Sequence, residues 1–108
     1  MTSAMITDVV HVNDFEDRIQ TGIHLVDFWA LWCGPCRILS SILEEISDKI
    51  SIIKINVEEA EELASRFDIQ SIPTMILFKD GEIVDSKGGF MSNSALIKWL
   101  KEYGVDVC

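Results

Sequence analysis

Cys33 and Cys36 stand two residues apart, with Gly34-Pro35 between them and Trp32 just before, where an apolar run gives way to a helical pattern. This junction narrows the possible folds more than any other stretch of the chain. Residues 23–30 are almost continuously apolar and aromatic, interrupted by His24 and Asp27. Such a run marks a strand buried on both faces. After the cysteines, Ile38, Leu39, Ile42, Leu43, Ile46 and Ile50 recur at three-and-four spacing. That period marks an amphipathic helix packed on a sheet. The pair therefore sits at a helix N-terminus, among unpaired N–H groups and at the positive end of the dipole. Both favour the thiolate, the nucleophilic form, over a thiol of ordinary pKa about 8.5. A Cys-x-x-Cys in this setting reads as a redox dithiol. Cys33, preceding the helix, is expected to carry the exposed, attacking sulfur. Cys36, about one turn on, is expected to face inward and resolve the mixed disulfide. Gly34 keeps a side chain away from an incoming substrate, and Pro35 suits a first helical turn. The competing reading is half of a zinc site. Zinc takes four ligands, and the remaining candidates, His11, His24 and Cys108, lack ligand spacing.

The rest of the chain predicts alternating elements. Residues 1–8 read as a frayed lead-in and residues 9–12 as a short strand. Asn13 is expected to cap a helix, with Glu16 completing a capping box, Phe15 and Ile19 on its apolar stripe and Gly22 ending it. Residues 51–57 form the next strand. A helix follows from Glu58, with four glutamates in its first turn and Ala60, Leu63, Ala64 and Phe67 on its buried face. Residues 74–79 are a third apolar strand. Asp80-Gly81 signals a hairpin, and residues 82–87 pair back. Ser92 or Asn93 caps a last helix that buries Ala95, Leu96, Trp99, Leu100 and Tyr103 and stops at Gly104. Strand–helix alternation followed by a hairpin gives a three-layer α/β/α sandwich. Its mixed sheet has about five strands, flanked by four helices. The 108 residues suit one domain.

The net charge of −9 disfavours nucleic acid and anionic membranes as partners, since phosphate recognition needs clustered Lys and Arg. Its ordinary role is solubility; a further one is steering toward a partner with a basic face. No basic, apolar leader opens the chain, and no stretch approaches a membrane span of about 20 residues. A cytoplasmic location is the default. Three cysteines with one close pair suit a reducing compartment.

Asp27-Phe28-Trp29-Ala30, Trp32-Cys33-Gly34-Pro35-Cys36, Ile72-Pro73-Thr74 and Gly89 together resemble the thioredoxin family across essentially the whole chain. The resemblance implies a single thioredoxin domain, residues 1–108, that reduces protein disulfides. A buried aspartate is costly, and on its own Asp27 reads rather as a structural carboxylate, paired with a basic neighbour or at an edge near solvent. The resemblance implies that Asp27 relays the Cys36 proton and that Lys54 is its charge partner. Pro73 starts a strand and could be trans. The resemblance implies a cis Ile72-Pro73 bond facing the dithiol, with the Ile72 backbone free for strand addition by substrate. Trp32, Gly34, Pro35, Ile72, Pro73 and Gly89 would form the substrate surface, and Trp29 would belong to the core. The resemblance also implies no cofactor or metal in the domain, with electrons from NADPH through a flavin-dependent thioredoxin reductase. The partners are then that reductase and disulfide-containing proteins, and the chain is read as a monomer.

The chain departs from the family pattern at several places. Ser41 replaces a helix-kinking proline, Leu31 a polar residue or proline, Gly88 a bulkier apolar residue and Arg37 a lysine. Cys108 reads as a bystander. Rival functions are an oxidase or isomerase, which the resemblance disfavours through Gly34-Pro35, and a binding subunit whose dithiol only shapes the site.

Overall fold

The computed structural model describes residues 5–108, so the first four residues of the expected lead-in lie outside the described residues. The elements run β1 (Ile6–Asp8), α1 (Val12–Ile19), β2 (Ile23–Trp29), α2 (Gly34–Ile46), β3 (Ser51–Asn56), α3 (Glu61–Arg66), β4 (Thr74–Lys79), β5 (Glu82–Gly88) and α4 (Asn93–Glu102). They build a five-stranded sheet of order β1-β3-β2-β4-β5. β1, β3 and β2 are parallel, and β4 and β5 run antiparallel to their neighbours.

Alternation along the central strands sends side chains to two cores. Leu25, Ile52, Met75 and Leu77 meet Leu39, Leu43 and Ile46 of α2 and Leu96, Trp99 and Leu100 of α4. Val26, Phe28, Ile53, Ile55, Ile76 and Phe78 meet Phe15 and Ile19 of α1 and Leu63 of α3. Both faces of the sheet are covered, which is why β2 and β4 read as continuous apolar runs.

Several expected boundaries are corrected. The first strand lies at Ile6–Asp8, defined by pairing with β3 from Ile6 opposite Ile52. Its three residues are too few to carry a hydrophobic pattern. Val12 opens α1 because Phe15 donates its N–H to the His11 carbonyl at 3.0 Å. His11, not Asn13, is the N-cap, without a side-chain cap, and Glu16 instead pairs with Arg66 at 2.6 Å. α3 begins at Glu61 rather than Glu58, because Asn56 accepts the Glu58 N–H on Oδ1 and the Glu59 and Ala60 N–H groups on its carbonyl. α2 runs unbroken to Ile46 and Ile50 joins the same core from beyond it, whereas Ile38 is 60% exposed on the flank of the stripe. On α4, Ala95 is exposed and Tyr103 remains open because its hydroxyl reaches Asp85.

Candidate active site

The dithiol is built where β2 hands over to α2. Ala30 closes the connecting turn by accepting the Cys33 N–H at 3.2 Å. Cys33, in extended backbone (φ −91°, ψ 109°), is the N-cap of α2, and Pro35 lies in the first turn. The Cys33 Sγ accepts the Cys36 N–H at 3.1 Å, so the sulfur takes up one of the helix's orphan donors. Cys33 and Cys36 are joined as a disulfide, with Cα atoms 5.2 Å apart. The expectation of an exposed Cys33 is corrected: Cys33 is 4% and Cys36 2% exposed. Bonded to Cys36 and drawn to the helix amides, the Cys33 sulfur turns inward. The two cysteines differ instead in hydrogen bonding, since the Cys33 sulfur receives the helix N–H. Pro35 is exposed, and a Cβ on Gly34 would meet nothing within 4 Å.

The start of β4 lies at the same end of the sheet, because Thr74 is opposite Phe28. Pro73 therefore comes beside the exit of β2. The Ile72–Pro73 bond is cis. Gly89 donates its N–H to the Pro73 carbonyl at 2.8 Å and adopts φ +93°, a conformation that favours glycine. No backbone hydrogen bond of the turns and loops involves Ile72 among the described residues. Trp32 is 67% exposed, and its Nε1–H donates to Glu58 Oε2 at 3.0 Å. Between Trp32 and Ile72 lies a cavity of about 260 Å³, also lined by Val57, Ile69, Gln70 and Ser71. Leu31 and Phe90 extend the apolar surface.

Asp27 is fully buried and neither carboxylate oxygen has a hydrogen-bond partner. Burial pushes its carboxyl from 3.8 up to about 6, against the opposing charge of Lys54. Asp27 and Lys54 are register partners on β2 and β3, so they share the face covered by α2. They make no direct ion pair. The Lys54 ammonium instead donates to Ser40 Oγ and lies 5.1 Å from the Trp29 ring centroid. Trp29 is half-buried rather than core, and its Nε1 has no partner.

A disulfide at a helix N-terminus beside a cis-proline turn matches the resemblance, and a family model described as Thioredoxin covers residues 6–102. The chain belongs to the thioredoxin family. It is 44% identical over 101 residues to a thioredoxin of Staphylococcus saprophyticus, covering 88% of this chain and 97% of that one. To a thioredoxin of Staphylococcus aureus it is 38% identical over 107 residues, covering 95% and 99%. Among solved structures, a single-substitution mutant of the thioredoxin from Halobacterium salinarum NRC-1 superposes with a TM-score of 0.86 at 29% identity, covering 100% of this chain and 99% of that one. The architecture is the thioredoxin fold, Cys33–Cys36 is the redox-active disulfide, and the chain is a protein-disulfide oxidoreductase.

Two residues that hydrogen-bond to the expected site residues Trp32 and Lys54 do not stand out in the sequence. Glu58 reads as part of a helical turn, although Asn56 two residues earlier signals the turn that holds it beside Trp32. Ser40 stands four residues after Cys36 and so shares its helix face; a half-buried hydroxyl there is the available signal. Among the described residues no group of three or more His, Cys, Asp or Glu could hold a metal ion. His24 is engaged by Ser51 and the Thr21 carbonyl, and Cys108 is free and exposed. A cavity of about 640 Å³ between Phe15, Phe67 and Ile83 lies at the hairpin end, away from the dithiol.

Proposed function

We propose that this thioredoxin is a single-domain, monomeric, cytoplasmic reductant of protein disulfides. The observation that carries the reading is the Cys33–Cys36 disulfide at the N-terminus of α2, with the unpartnered carboxylate of Asp27 on the sheet face beneath that helix. In the reduced form, helix N–H groups stabilise the Cys33 thiolate. It attacks one sulfur of the substrate disulfide, forming a mixed disulfide and releasing the other substrate sulfur as a thiolate, which takes a proton from solvent. The Cys36 thiol then gives its proton to Asp27 and attacks the Cys33 sulfur. The second substrate thiol leaves, and Cys33–Cys36 is the oxidised product. Two electrons pass to the substrate. A flavin-dependent thioredoxin reductase would return them from NADPH, so the domain itself needs no cofactor or metal and serves cell redox homeostasis.

An extended substrate segment would pair with the free backbone of Ile72. Its side chains would lie on Trp32, Gly34, Pro35 and Gly89, with Pro73, expected at this surface but buried, forming the turn beneath them. Asp27, ionised above about pH 6, is a competent base near neutrality, with Lys54 offsetting its charge. The test is insulin reduction with dithiothreitol. Wild type accelerates precipitation, and Cys33→Ser abolishes turnover. Cys36→Ser accumulates mixed disulfide visible by mass spectrometry. Turnover retained in Cys33→Ser overturns the reading, and a dithiol potential above that of protein disulfide isomerases makes the protein an oxidant instead.

A further inference from the structure

We propose that Ser40 is a positioning residue for the chemistry behind the dithiol: its hydroxyl holds the Lys54 ammonium on the inner side of the sheet, beside Asp27, against the pull of Asp8 and water. The consequence for turnover rests on the reading of Asp27 as proton acceptor; the placement of Lys54 does not.

Three charged residues stand abreast on one face. Asp8 of β1 is opposite Lys54 of β3, and Lys54 is opposite Asp27 of β2. Asp8 is exposed, Lys54 half-buried and Asp27 fully buried. Lys54 forms an ion pair with neither carboxylate; the ion pairs among the described residues are Arg18–Asp14 and Arg66–Glu16. Its ammonium goes to Ser40 Oγ and the face of Trp29. Lys54 and Trp29 also line a cavity of about 310 Å³, whose walls include Asp8, Leu31, Asn56 and Glu59.

An ammonium carries three donors and is costly to hold in a partly desolvated site without acceptors. On the α2 side Ser40 supplies the one acceptor the Lys54 ammonium uses. On the cavity side stand two carboxylates, Asp8 and Glu59. Met75, opposite Asp27 on β4, is uncharged, and Cys36, four residues before Ser40 on α2, is held in the disulfide. Removing the Ser40 hydroxyl tips the balance outward, and the long lysine stem swings its head into the cavity. Asp27 then loses the one charge that offsets its burial, and its carboxyl keeps its proton to higher pH.

The experiment is a carboxyl-carbon NMR titration of Asp27 in the full-length oxidised protein, where neither active-site thiol titrates. In Ser40→Ala the acid constant of Asp27 falls by about threefold or more, the size expected when a unit charge withdraws by several ångströms. Ser40→Thr, which keeps the hydroxyl, restores the wild-type midpoint. Adding Asp8→Asn to Ser40→Ala brings it partly back by removing the outward pull. An unmoved or lowered midpoint in Ser40→Ala overturns the proposal. Alanine suits a helix at least as well as serine, so loss of fold does not obscure the result. The pH profile of single-turnover disulfide reduction is measured alongside. If it follows the midpoint, both readings stand. If the midpoint moves and the profile does not, the proton relay fails while the placement of Lys54 stands.

Discussion

At the scale of single residues, Asp27 is where the fold sacrifices stability. Its carboxyl is held at about 6 against 3.8 when free, chiefly by burial. Between those values the folded chain keeps a proton that the unfolded chain has released, so stability falls as pH rises from about 4 through about 6 and then levels off. The full penalty is about 3 kcal/mol. We expect the stability of Asp27→Ala relative to wild type to improve by about that amount between pH 4 and pH 8, as urea unfolding at the two pH values would measure. A pH-independent difference contradicts this. Gly89 is the opposite case, a residue whose conformation the site requires. At φ +93° a Cβ meets nothing within 4 Å, so Gly89→Ala costs backbone strain alone, about 1–2 kcal/mol. Urea unfolding at a single pH reads that loss.

At the scale of elements, β5 and α4 are tied by one carboxylate. Asp85 accepts from Trp99 Nε1 at 2.8 Å and from the Tyr103 hydroxyl at 2.7 Å. These hydrogen bonds, with the Ser86 N–H, hold its carboxyl down to about 2, and the same bond raises the Tyr103 hydroxyl above 10.0. A lowered carboxyl contributes stability above about 4 that is lost as pH falls toward about 2. Asp85→Asn should therefore destabilise at pH 7 and flatten the acid limb of unfolding between pH 4 and pH 2; an unchanged acid limb rules this out. None of this tie can be seen in the sequence, because its three members meet only after the hairpin and last helix have docked. What can be read is local and repetitive. β2, β3, β4 and α2 announce themselves through hydrophobic period, and the cysteine pair through its place between two of them. β1 escapes because three residues paired to a distant strand carry no period. The α1 start escapes because an unfilled cap at His11 sends no signal while Asn13 sends a false one. Ser40 and Glu58 escape because each is defined by a partner far along the chain. The Cys33 sulfur reads as exposed because its place ahead of the helix is legible, whereas the burial that the folded chain imposes on it is not.

At the scale of the whole molecule, 18 acidic against 9 basic residues give a charge of −9. Such a field accelerates encounter with a basic docking face and is screened within about 8 Å at physiological salt. For a disulfide protein with a basic face, stopped-flow reduction should slow about tenfold from low salt to about 0.5 M, while a neutral small disulfide changes little. Equal salt response for both would leave the charge with solubility alone. The sheet margins have a consequence of another kind. β5 pairs Leu77 with Asp85 but Phe78 with Ile83, so Val84 is an extra residue and the strand is bulged. It also carries Glu82, Asp85 and Lys87, while the other margin, β1, has only three residues. Bulged, charged or very short margins make poor templates for foreign strands. A protein that captures extended polypeptides through bare backbone runs the risk of capturing itself. Here the long margin is spoiled for that purpose, and on the proposed reading a strand captured at Ile72 would meet the dithiol instead of nucleating an aggregate.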